Sequence, residues 1–280
     1  MRISRIDSPT KKRTGFGMLG GLSSGMSLTV QLIIVNVILY FVALIGIGFY
    51  GEKIFEWFAL TPSLILSGQS LWAFLTSMFM HGSFFHLFAN MFSLFFVGGF
   101  LEKLIGRKRF FWVYLIAGLV GGIFYVGATM IFGDINIPAV GASGAIFGLL
   151  GVLAVLVPNS RIYLIAGPLI LIIIEVVAIP FLPLSLAGTI GAVVNVLIFV
   201  MIFAIFSSNP NFRKFAVPVE LHMWLLPIIA IVPLAVIGLF VDLPIGNSAH
   251  LGGLVVGLIF GFYLRKKFPR KTALLSRMFK

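Results

Sequence analysis

Two short motifs carry the residue types of a nucleophile and its base. Ser143 lies in a Gly-Ala-Ser-Gly motif at 141–144, and His250 lies in an Ala-His-Leu-Gly-Gly motif at 249–253. A serine hydroxyl becomes a good nucleophile when an adjacent base accepts its proton, and histidine is the commonest such base. Alone, Ser143 has two ordinary interpretations, as a helix N-cap or as a small residue that allows close helix packing. The chemical interpretation requires His250 within hydrogen-bonding distance.

His86 and Asn90 form a second set of groups, suited to stabilising negative charge. Their spacing of four residues places both side chains on one face of a helix. Donors aimed at a developing oxyanion lower the barrier to attack, and the backbone N–H of Ser143 at a helix N-terminus would add a third donor. A plainer alternative is that His86 and Asn90 hydrogen-bond a neighbouring helix. His81 lies just outside this segment.

The elements that must position these residues are membrane-spanning helices. Of the 280 residues, 60% are hydrophobic and 10% are charged, whereas soluble domains are about a quarter charged. The apolar runs are long enough to cross roughly 30 Å of hydrocarbon as helices. The sequence predicts an all-α polytopic membrane protein of about eight spans, at 28–49, 85–101, 110–132, 143–157, 162–181, 187–206, 218–241 and 249–265.

The basic residues indicate the orientation of these spans. If the N-terminus is cytoplasmic, only Lys53 of the 20 Lys and Arg residues falls in an outer segment, as the positive-inside rule predicts. Both termini are then cytoplasmic basic tails, at 1–27 and 266–280, and the first is expected to be disordered. Because three spans separate Ser143 from His250, both residues begin helices of the same direction at the outer face.

Glycines provide the close approach that a contact between two helices requires. Gly144 and Gly148 are four residues apart, and Gly253, Gly257 and Gly261 repeat that spacing. Small residues at this spacing allow two helix backbones nearly to touch. The pattern predicts direct packing between the helix of the nucleophile and the helix of the base.

The motifs together resemble those of the rhomboid intramembrane proteases. The matching residues are His81-x4-His86-x3-Asn90, Gly141-Ala142-Ser143-Gly144 and Ala249-His250-x2-Gly253-x3-Gly257, with Glu102, Gly106 and Arg107 after the second span. The three motifs occur in the family's order, and the resemblance covers about 28–157 and 218–265. It implies a membrane domain at 28–265 with a six-helix core, in which 162–206 is an extra transmembrane hairpin.

The same resemblance implies an intramembrane serine endopeptidase with a Ser–His dyad and no acidic third member. Ser143 would attack a peptide bond in a substrate's transmembrane segment, with His250 as general base and then general acid. His86, Asn90 and the Ser143 amide would form the oxyanion hole, and the site would open to the extracytoplasmic side. The expected partners are transmembrane protein substrates and membrane lipid, with no cofactor, metal or nucleic acid.

The chain departs from the family pattern near the site. Ala73 follows Trp72 where many members carry arginine, within segment 51–84, which is predicted to lie half sunk in the outer leaflet as an amphipathic stretch. Phe147 stands where some members have tyrosine, and its ring would pack on that of His250.

The extra hairpin is compatible with two arrangements of spans. Residues 158–206 could hold two spans, or one long span and a re-entrant piece. Pro180, Pro183 and other breakers near the middle favour two spans joined by a short turn. Glu175 and Asn195 fall in this hairpin and are expected to pair with each other rather than to serve transport.

Other classes of membrane protein explain the sequence less well. A metalloprotease would need a His-Glu-x-x-His helix, which is absent, and an aspartyl protease would need two Asp residues within spans. A transporter would be expected to show internal repeats and a polar midplane site. The transporter stays open as an alternative, together with an inactive rhomboid-like protein that binds transmembrane clients, although Ser143 and His250 are both present.

Overall fold

A computed structural model describes residues 25–237 and 246–279, and most of these residues are helical. The helices are α1 Leu28–Tyr50, α2 Lys53–Phe58, α3 Pro62–Leu66, α4 Ala73–Thr76, α5 Phe84–Ser93, α6 Gly99–Ile105, α7 Arg107–Phe132, α8 Ser143–Leu156, α9 Ala166–Ala178, α10 Leu184–Ala204, α11 Pro210–Phe215, α12 Leu226–Ile237, α13 Asn247–Lys267 and α14 Pro269–Met278. A π-helical segment, Leu94–Gly98, joins α5 to α6, and two strands are present, β1 Arg161–Ile165 and β2 Pro218–His222. The tail predicted at 1–27 lies, up to residue 24, outside the described residues.

Five helical segments of the described chain are long and apolar enough to cross a membrane. They are Leu28–Tyr50, Phe84–Ile105, Arg107–Phe132, Ser185–Ala204 and Asn247–Lys267. The other three predicted spans correspond to shorter apolar helices, at Ser143–Leu156, Ala166–Glu175 and Met223–Pro233. The protein is therefore a helical, multi-pass integral membrane protein, as its composition predicts.

The short helix α8 lies at the centre of the bundle. Almost every residue from Gly144 to Leu156 is buried, and α8 packs against α7 and α13. At 1.5 Å per residue, its 14 residues span about 21 Å, less than the thickness of the hydrocarbon. A helix enclosed by other helices does not have to face lipid along its whole length, so this length is compatible with a position inside a membrane bundle.

Glycines make the contact between α8 and α13. A Cβ added at Gly253 would overlap the carbonyl oxygen of Gly144, and a Cβ added at Gly257 would overlap that of Gly148. Gly121 of α7 approaches α13 similarly, because a Cβ there would lie 2.8 Å from a backbone carbonyl oxygen. The predicted packing of the nucleophile's helix against the base's helix is therefore confirmed.

Two paired strands, β1 and β2, lie at the two ends of the segment between α8 and α12. β1 and β2 pair antiparallel, from Arg161 opposite His222 to Ile165 opposite Pro218, and Arg161 forms an ion pair with Glu220 at 3.1 Å. The prediction of helix at 162–165 and 218–222 is therefore wrong. Each strand is only five residues long, and in a run this short periodicity does not separate a strand from a helix.

Between these strands, α9 and α10 form two separate helices joined by a 3₁₀ turn at Ile179–Phe181, as the prolines predict. The Asn195 side-chain amide donates hydrogen bonds to Oε1 of Glu175 at 3.0 Å and to the Gly191 carbonyl at 2.9 Å. The predicted pairing of Glu175 with Asn195 is confirmed, and it ties α9 to α10.

An aromatic cluster joins α10 to α5, the helix of His86 and Asn90. The Phe199 ring of α10 lies 6.2, 5.7 and 4.8 Å, centroid to centroid, from the rings of Phe84, Phe85 and Phe88. The helix α12, by contrast, packs on α8 and α13. The segment between α8 and α12 therefore covers the face of α5 that carries these three rings.

The C-terminal segment 266–280 is more ordered than a basic tail. α13 continues to Lys267, and α14 folds back against the end of the bundle. Thr272 is buried, Leu275 packs against the core, and the ring of Phe279 lies 5.2 Å from that of Phe100 in an edge-to-face contact.

Candidate active site

The candidate site lies where α5, α8 and α13 begin, beside the loops that precede α5 and α8. The two loops are joined by an antiparallel bridge between Leu60 and Ala139, and the Tyr125 hydroxyl donates to the Ile137 carbonyl at 3.0 Å. Within the first loop, Nε1 of Trp72 donates to a backbone carbonyl at 2.7 Å. The loop before Ser143 is therefore held on both sides, by α7 and by segment 51–84.

Ser143 and His250 are in direct contact. Nε2 of His250 lies 2.8 Å from Oγ of Ser143. His250 is buried, whereas Ser143 is half-buried. Ala142 occupies the N-cap of α8 and Ser143 is the first helical residue, so the interpretation of Ser143 as an N-cap is wrong. The hydroxyl contacts His250, and this geometry permits transfer of its proton to the imidazole.

Phe147 fixes the plane of the His250 ring. The two rings are stacked, with centroids 4.4 Å apart and an interplanar angle of 19°. This confirms the predicted packing of Phe147 on His250. Nδ1 of His250 is buried without a hydrogen-bond partner among the described residues. The orientation of the imidazole therefore depends on Phe147 and Ser143, because no described group bonds its far nitrogen.

His86 and Asn90 lie beside the loop that leads into Ser143. A Cβ added at Gly141 would lie 2.8 Å from Nε2 of His86 and 3.8 Å from Nδ2 of Asn90. The buried Asn90 also donates from Nδ2 to the His86 carbonyl at 2.9 Å, which leaves the second N–H of its amide for another acceptor. The structure thus brings together all four residues predicted from the sequence.

Gly141 has a structural role that its motif alone did not indicate. Its φ of +122° is a conformation that L side chains rarely adopt, and its N–H donates to the Ser77 carbonyl at 2.8 Å. A side chain at this position would also meet the His86 ring. Ser77, which carries no recognisable motif, was missed by the sequence analysis because only its backbone is used.

His81 packs behind His86. The two rings meet edge to face at 5.1 Å, and His81 is buried. Burial, assisted by the neighbouring His86, lowers the pKa of His81 from 6.5 to about 3. His81 is therefore neutral at pH 7 and supports the His86 ring without adding charge beside it.

The remaining residues of the resemblance lie at the opposite end of the bundle. The Glu102 carboxylate accepts hydrogen bonds from the Leu28 and Thr29 N–H groups at 2.8 Å and from the Thr29 hydroxyl at 2.7 Å. Arg107 donates to the Gln31 side chain at 2.6 Å. These contacts cap the N-terminus of α1 and join it to α6 and α7, away from Ser143.

Comparison with known proteins finds relatives in the family that the motifs resemble. The family model of the Rhomboid domain matches residues 68–188 and 181–267. In Bacillus subtilis strain 168, the Putative rhomboid protease YdcA is 40% identical over 81 residues (29% of this chain, 39% of that protein), and Rhomboid protease GluP is 39% identical over 99 residues (35% and 18%). Inactive RHOMBOID-like protein 8 of Arabidopsis thaliana is 36% identical over 109 residues (39% and 28%). The chain spans less than half the length of each of these relatives.

Proposed function

The chain belongs to the rhomboid family, and from that premise we propose that it is a serine endopeptidase that cleaves transmembrane segments of membrane proteins. Ser143 is the nucleophile and His250 is the general base. The observation that carries the proposal is the 2.8 Å separation of Oγ and Nε2 between two helices that begin at the same end of the bundle. Because Phe147 holds the imidazole in place, the pair is organised before substrate binds.

The reaction follows from this pair. Nε2 of His250 accepts the hydroxyl proton while Oγ of Ser143 attacks the carbonyl carbon of the scissile bond. The protonated imidazole then gives that proton to the leaving amine, which releases one fragment and leaves an acyl ester on Ser143. Water attacks the ester by the same route, with His250 again as base and then acid.

His86, Asn90 and the Ser143 amide supply the oxyanion hole in this proposal. Nε2 of His86 and Nδ2 of Asn90 both face Gly141, two residues before the nucleophile. The Ser143 N–H belongs to the first turn of α8, whose amides have no intrahelical acceptor and lie at the positive end of the helix dipole. Donors fixed at the developing charge typically contribute about 100-fold or more to kcat each.

Transmembrane segments with small or helix-breaking residues are the proposed substrates. Within a helix the peptide groups are bonded to one another and shielded, and unpaired backbone groups are costly in hydrocarbon. A segment that contains Gly or other poor helix formers unwinds at a lower cost, and so it exposes a carbonyl to Ser143 more readily.

The orientation proposed for the site is extracytoplasmic. The two segments beside it carry Glu52, Glu56 and Asp134, whereas the opposite end carries the basic residues around 103–109 and 265–277. Since cytoplasmic segments are rich in Lys and Arg, the end with Ser143 faces outward, with eight spans and both termini inside. The strand pair that closes 161–222 supports the proposal that the hairpin at 162–206 is an insertion into a six-helix core within the membrane domain 28–265.

The test uses purified full-length protein in detergent and a labelled transmembrane peptide with small residues near its outer end. Wild type, Ser143→Ala and His250→Ala are compared for cleavage and for labelling by a fluorophosphonate. We expect wild type alone to cleave and to be labelled. His86→Ala and Asn90→Ala should each lower kcat by about 100-fold while leaving the fold intact.

An inactive relative exists among the similar proteins, namely Inactive RHOMBOID-like protein 8 of Arabidopsis thaliana, so the negative outcome is informative. Labelling without cleavage would support the dyad and show that the peptide is not a substrate. Neither labelling nor cleavage, in detergent and after reconstitution in lipid, would contradict the protease and favour a client-binding protein.

A further inference from the structure

A recess lies at the opposite end of the bundle from Ser143. Its volume is about 510 Å³, and it lies between the start of α1, the π-helical segment, α6 and the start of α7. The residues that line it are Ser27, Thr29, Val30, Phe95, Phe96, Gly99, Phe100, Glu102, Lys103 and Arg107. No part of the proposed reaction uses this recess.

The recess has an apolar wall and a cationic rim. Phe95 and Phe96 are about half exposed, and both belong to the span Phe84–Ile105. Phe100 completes the wall and is supported by its contact with Phe279. Exposed aromatic rings within a membrane span face acyl chains, since the hydrocarbon is the medium around them.

The rim carries positive charge that is available to a ligand. Lys103 is exposed and forms no ion pair within the described chain. The Arg107 guanidinium is held by hydrogen bonds to the Met26 carbonyl and to Gln31, which fixes its position while leaving other N–H donors unused. The acidic residue in the recess, Glu102, is hydrogen-bonded to the N-terminus of α1, whose helix dipole offsets part of its negative charge.

We propose that this recess binds one anionic phospholipid of the surrounding bilayer. The headgroup phosphate lies at Lys103 and Arg107, and one acyl chain lies along Phe95, Phe96 and Phe100. Lys103 and Arg107 lie on either side of the point where α6 ends and α7 begins. This point is at the ends of two adjacent spans, the level at which lipid phosphates lie. The neighbouring segment 265–271 adds five more cations, which attract anionic lipid to this end.

The chain supplies matched variants for the test. Lys103→Glu reverses a charge on the rim, and Lys108→Glu makes the same change at an exposed position outside the recess. Gly99→Leu fills the recess, because a Cβ at Gly99 has no atom within 4 Å, and Gly127→Leu adds the same bulk in equally open space on α7. Neither glycine has a positive φ, so both substitutions are compatible with the helix.

Delipidated full-length protein is titrated with phosphatidylglycerol or with phosphatidylcholine of the same acyl chains, and bound lipid is counted by native mass spectrometry. We expect one phosphatidylglycerol to bind in preference to phosphatidylcholine. Lys103→Glu and Gly99→Leu should each weaken that binding by about tenfold or more, while Lys108→Glu and Gly127→Leu should leave it within about twofold.

Two results would overturn the proposal. Equal binding of the two lipids would show that the recess does not select an anionic headgroup. Equal effects of Lys103→Glu and Lys108→Glu, or of Gly99→Leu and Gly127→Leu, would show that the lipid is held elsewhere by general attraction. Inorganic phosphate is added as a further arm, and full displacement of the lipid by phosphate at equal concentration would contradict a role for the aromatic wall.

Discussion

At the scale of single residues, Gly141 is the position where the candidate site has no room for a side chain. Its φ of +122° disfavours any side chain, and a Cβ at this position would lie 2.8 Å from the His86 ring. The ring nitrogen of His86 and the amide of Asn90 are aimed at this point, and so the loop conformation decides where an oxyanion could sit.

Gly141→Ala should therefore damage catalysis more than it damages folding. The added methyl group meets the His86 ring and requires an unfavourable φ, which displaces one proposed oxyanion donor. We expect cleavage to fall by about 100-fold or more, with a loss of stability of about 1–2 kcal/mol. Activity and thermal unfolding are compared with those of Gly127→Ala, which has open space. Wild-type cleavage by Gly141→Ala would exclude His86 from the oxyanion hole.

Phe147 offers a separate test of how the base is oriented. Phe147→Tyr keeps the stacked ring and should cleave at nearly the wild-type rate, whereas Phe147→Leu keeps much of the volume and removes the aromatic face. Because such a stack contributes about 0.5–1.5 kcal/mol, we expect Phe147→Leu to lower kcat by about threefold to tenfold. The measurement is kcat at saturating peptide. Equal rates for the Tyr and Leu variants would show that the ring contact with His250 does not orient the base.

His81 predicts a dependence of stability on pH. Its pKa is about 3 in the folded protein because burial and then the nearby His86 disfavour the charged form, and it returns to about 6.5 on unfolding. The unfolded chain therefore binds the proton first, and stability that is present above pH 6.5 is lost as the pH falls toward 3, by up to about 1.4 kcal/mol per pH unit.

The corresponding measurement is thermal unfolding of wild type and His81→Gln between pH 7.5 and pH 4.5. We expect the variant to lose less stability on acidification than wild type does. His222→Gln, at an exposed position in β2, is the control and should follow wild type. If His81→Gln and wild type had the same slope, the neutral buried state of His81 would be wrong.

At the scale of elements, the glycine contact between α8 and α13 positions the two reacting side chains. Gly253 and Gly257 meet backbone carbonyl oxygens of α8, not flexible side chains. The helices can therefore accommodate a methyl group only by moving apart, and any such movement lengthens the distance from Ser143 to His250.

Gly257→Ala should lower both stability and activity although it lies two turns from His250. Overpacking of this kind typically costs about 1–3 kcal/mol, and a displacement of about 1 Å in an active site can cost about 100-fold in rate. We expect at least about a tenfold loss of cleavage. Thermal unfolding and fluorophosphonate labelling are measured beside Gly127→Ala. Unchanged labelling of Gly257→Ala would show that the helices are not held at this distance by the glycines.

The elements also mark the limit of prediction from the sequence. The glycine contact between α8 and α13 and the pairing of Glu175 with Asn195 could be predicted, because each depends on a local sequence pattern. The strands at 161–165 and 218–222 could not, because their pairing joins segments more than 50 residues apart and runs of five residues are too short for periodicity to separate a strand from a helix. The contact of Phe199 with α5 is equally non-local.

At the scale of the whole molecule, the two ends of the helix bundle differ in charge and in the sites that they carry. The end with α5, α8 and α13 beginning together carries the candidate site, and the opposite end carries nearly all the described basic residues together with α14 and the lipid recess. By the positive-inside rule, this charge distribution predicts that the basic end faces the cytoplasm. The proposed reaction and the proposed lipid site then lie on opposite sides of the bilayer.

The cysteine-free sequence makes this orientation directly testable. Gln69→Cys lies in the exposed loop beside the site, and Lys108→Cys lies at the exposed basic end. In intact cells or right-side-out vesicles, a membrane-impermeant maleimide should label Gln69→Cys at once and Lys108→Cys only after permeabilisation, because the membrane separates the two ends. Wild type, with no thiol, gives the background. The reverse pattern would place Ser143 on the cytoplasmic side, and labelling of both variants before permeabilisation would contradict an odd number of crossings between residues 69 and 108.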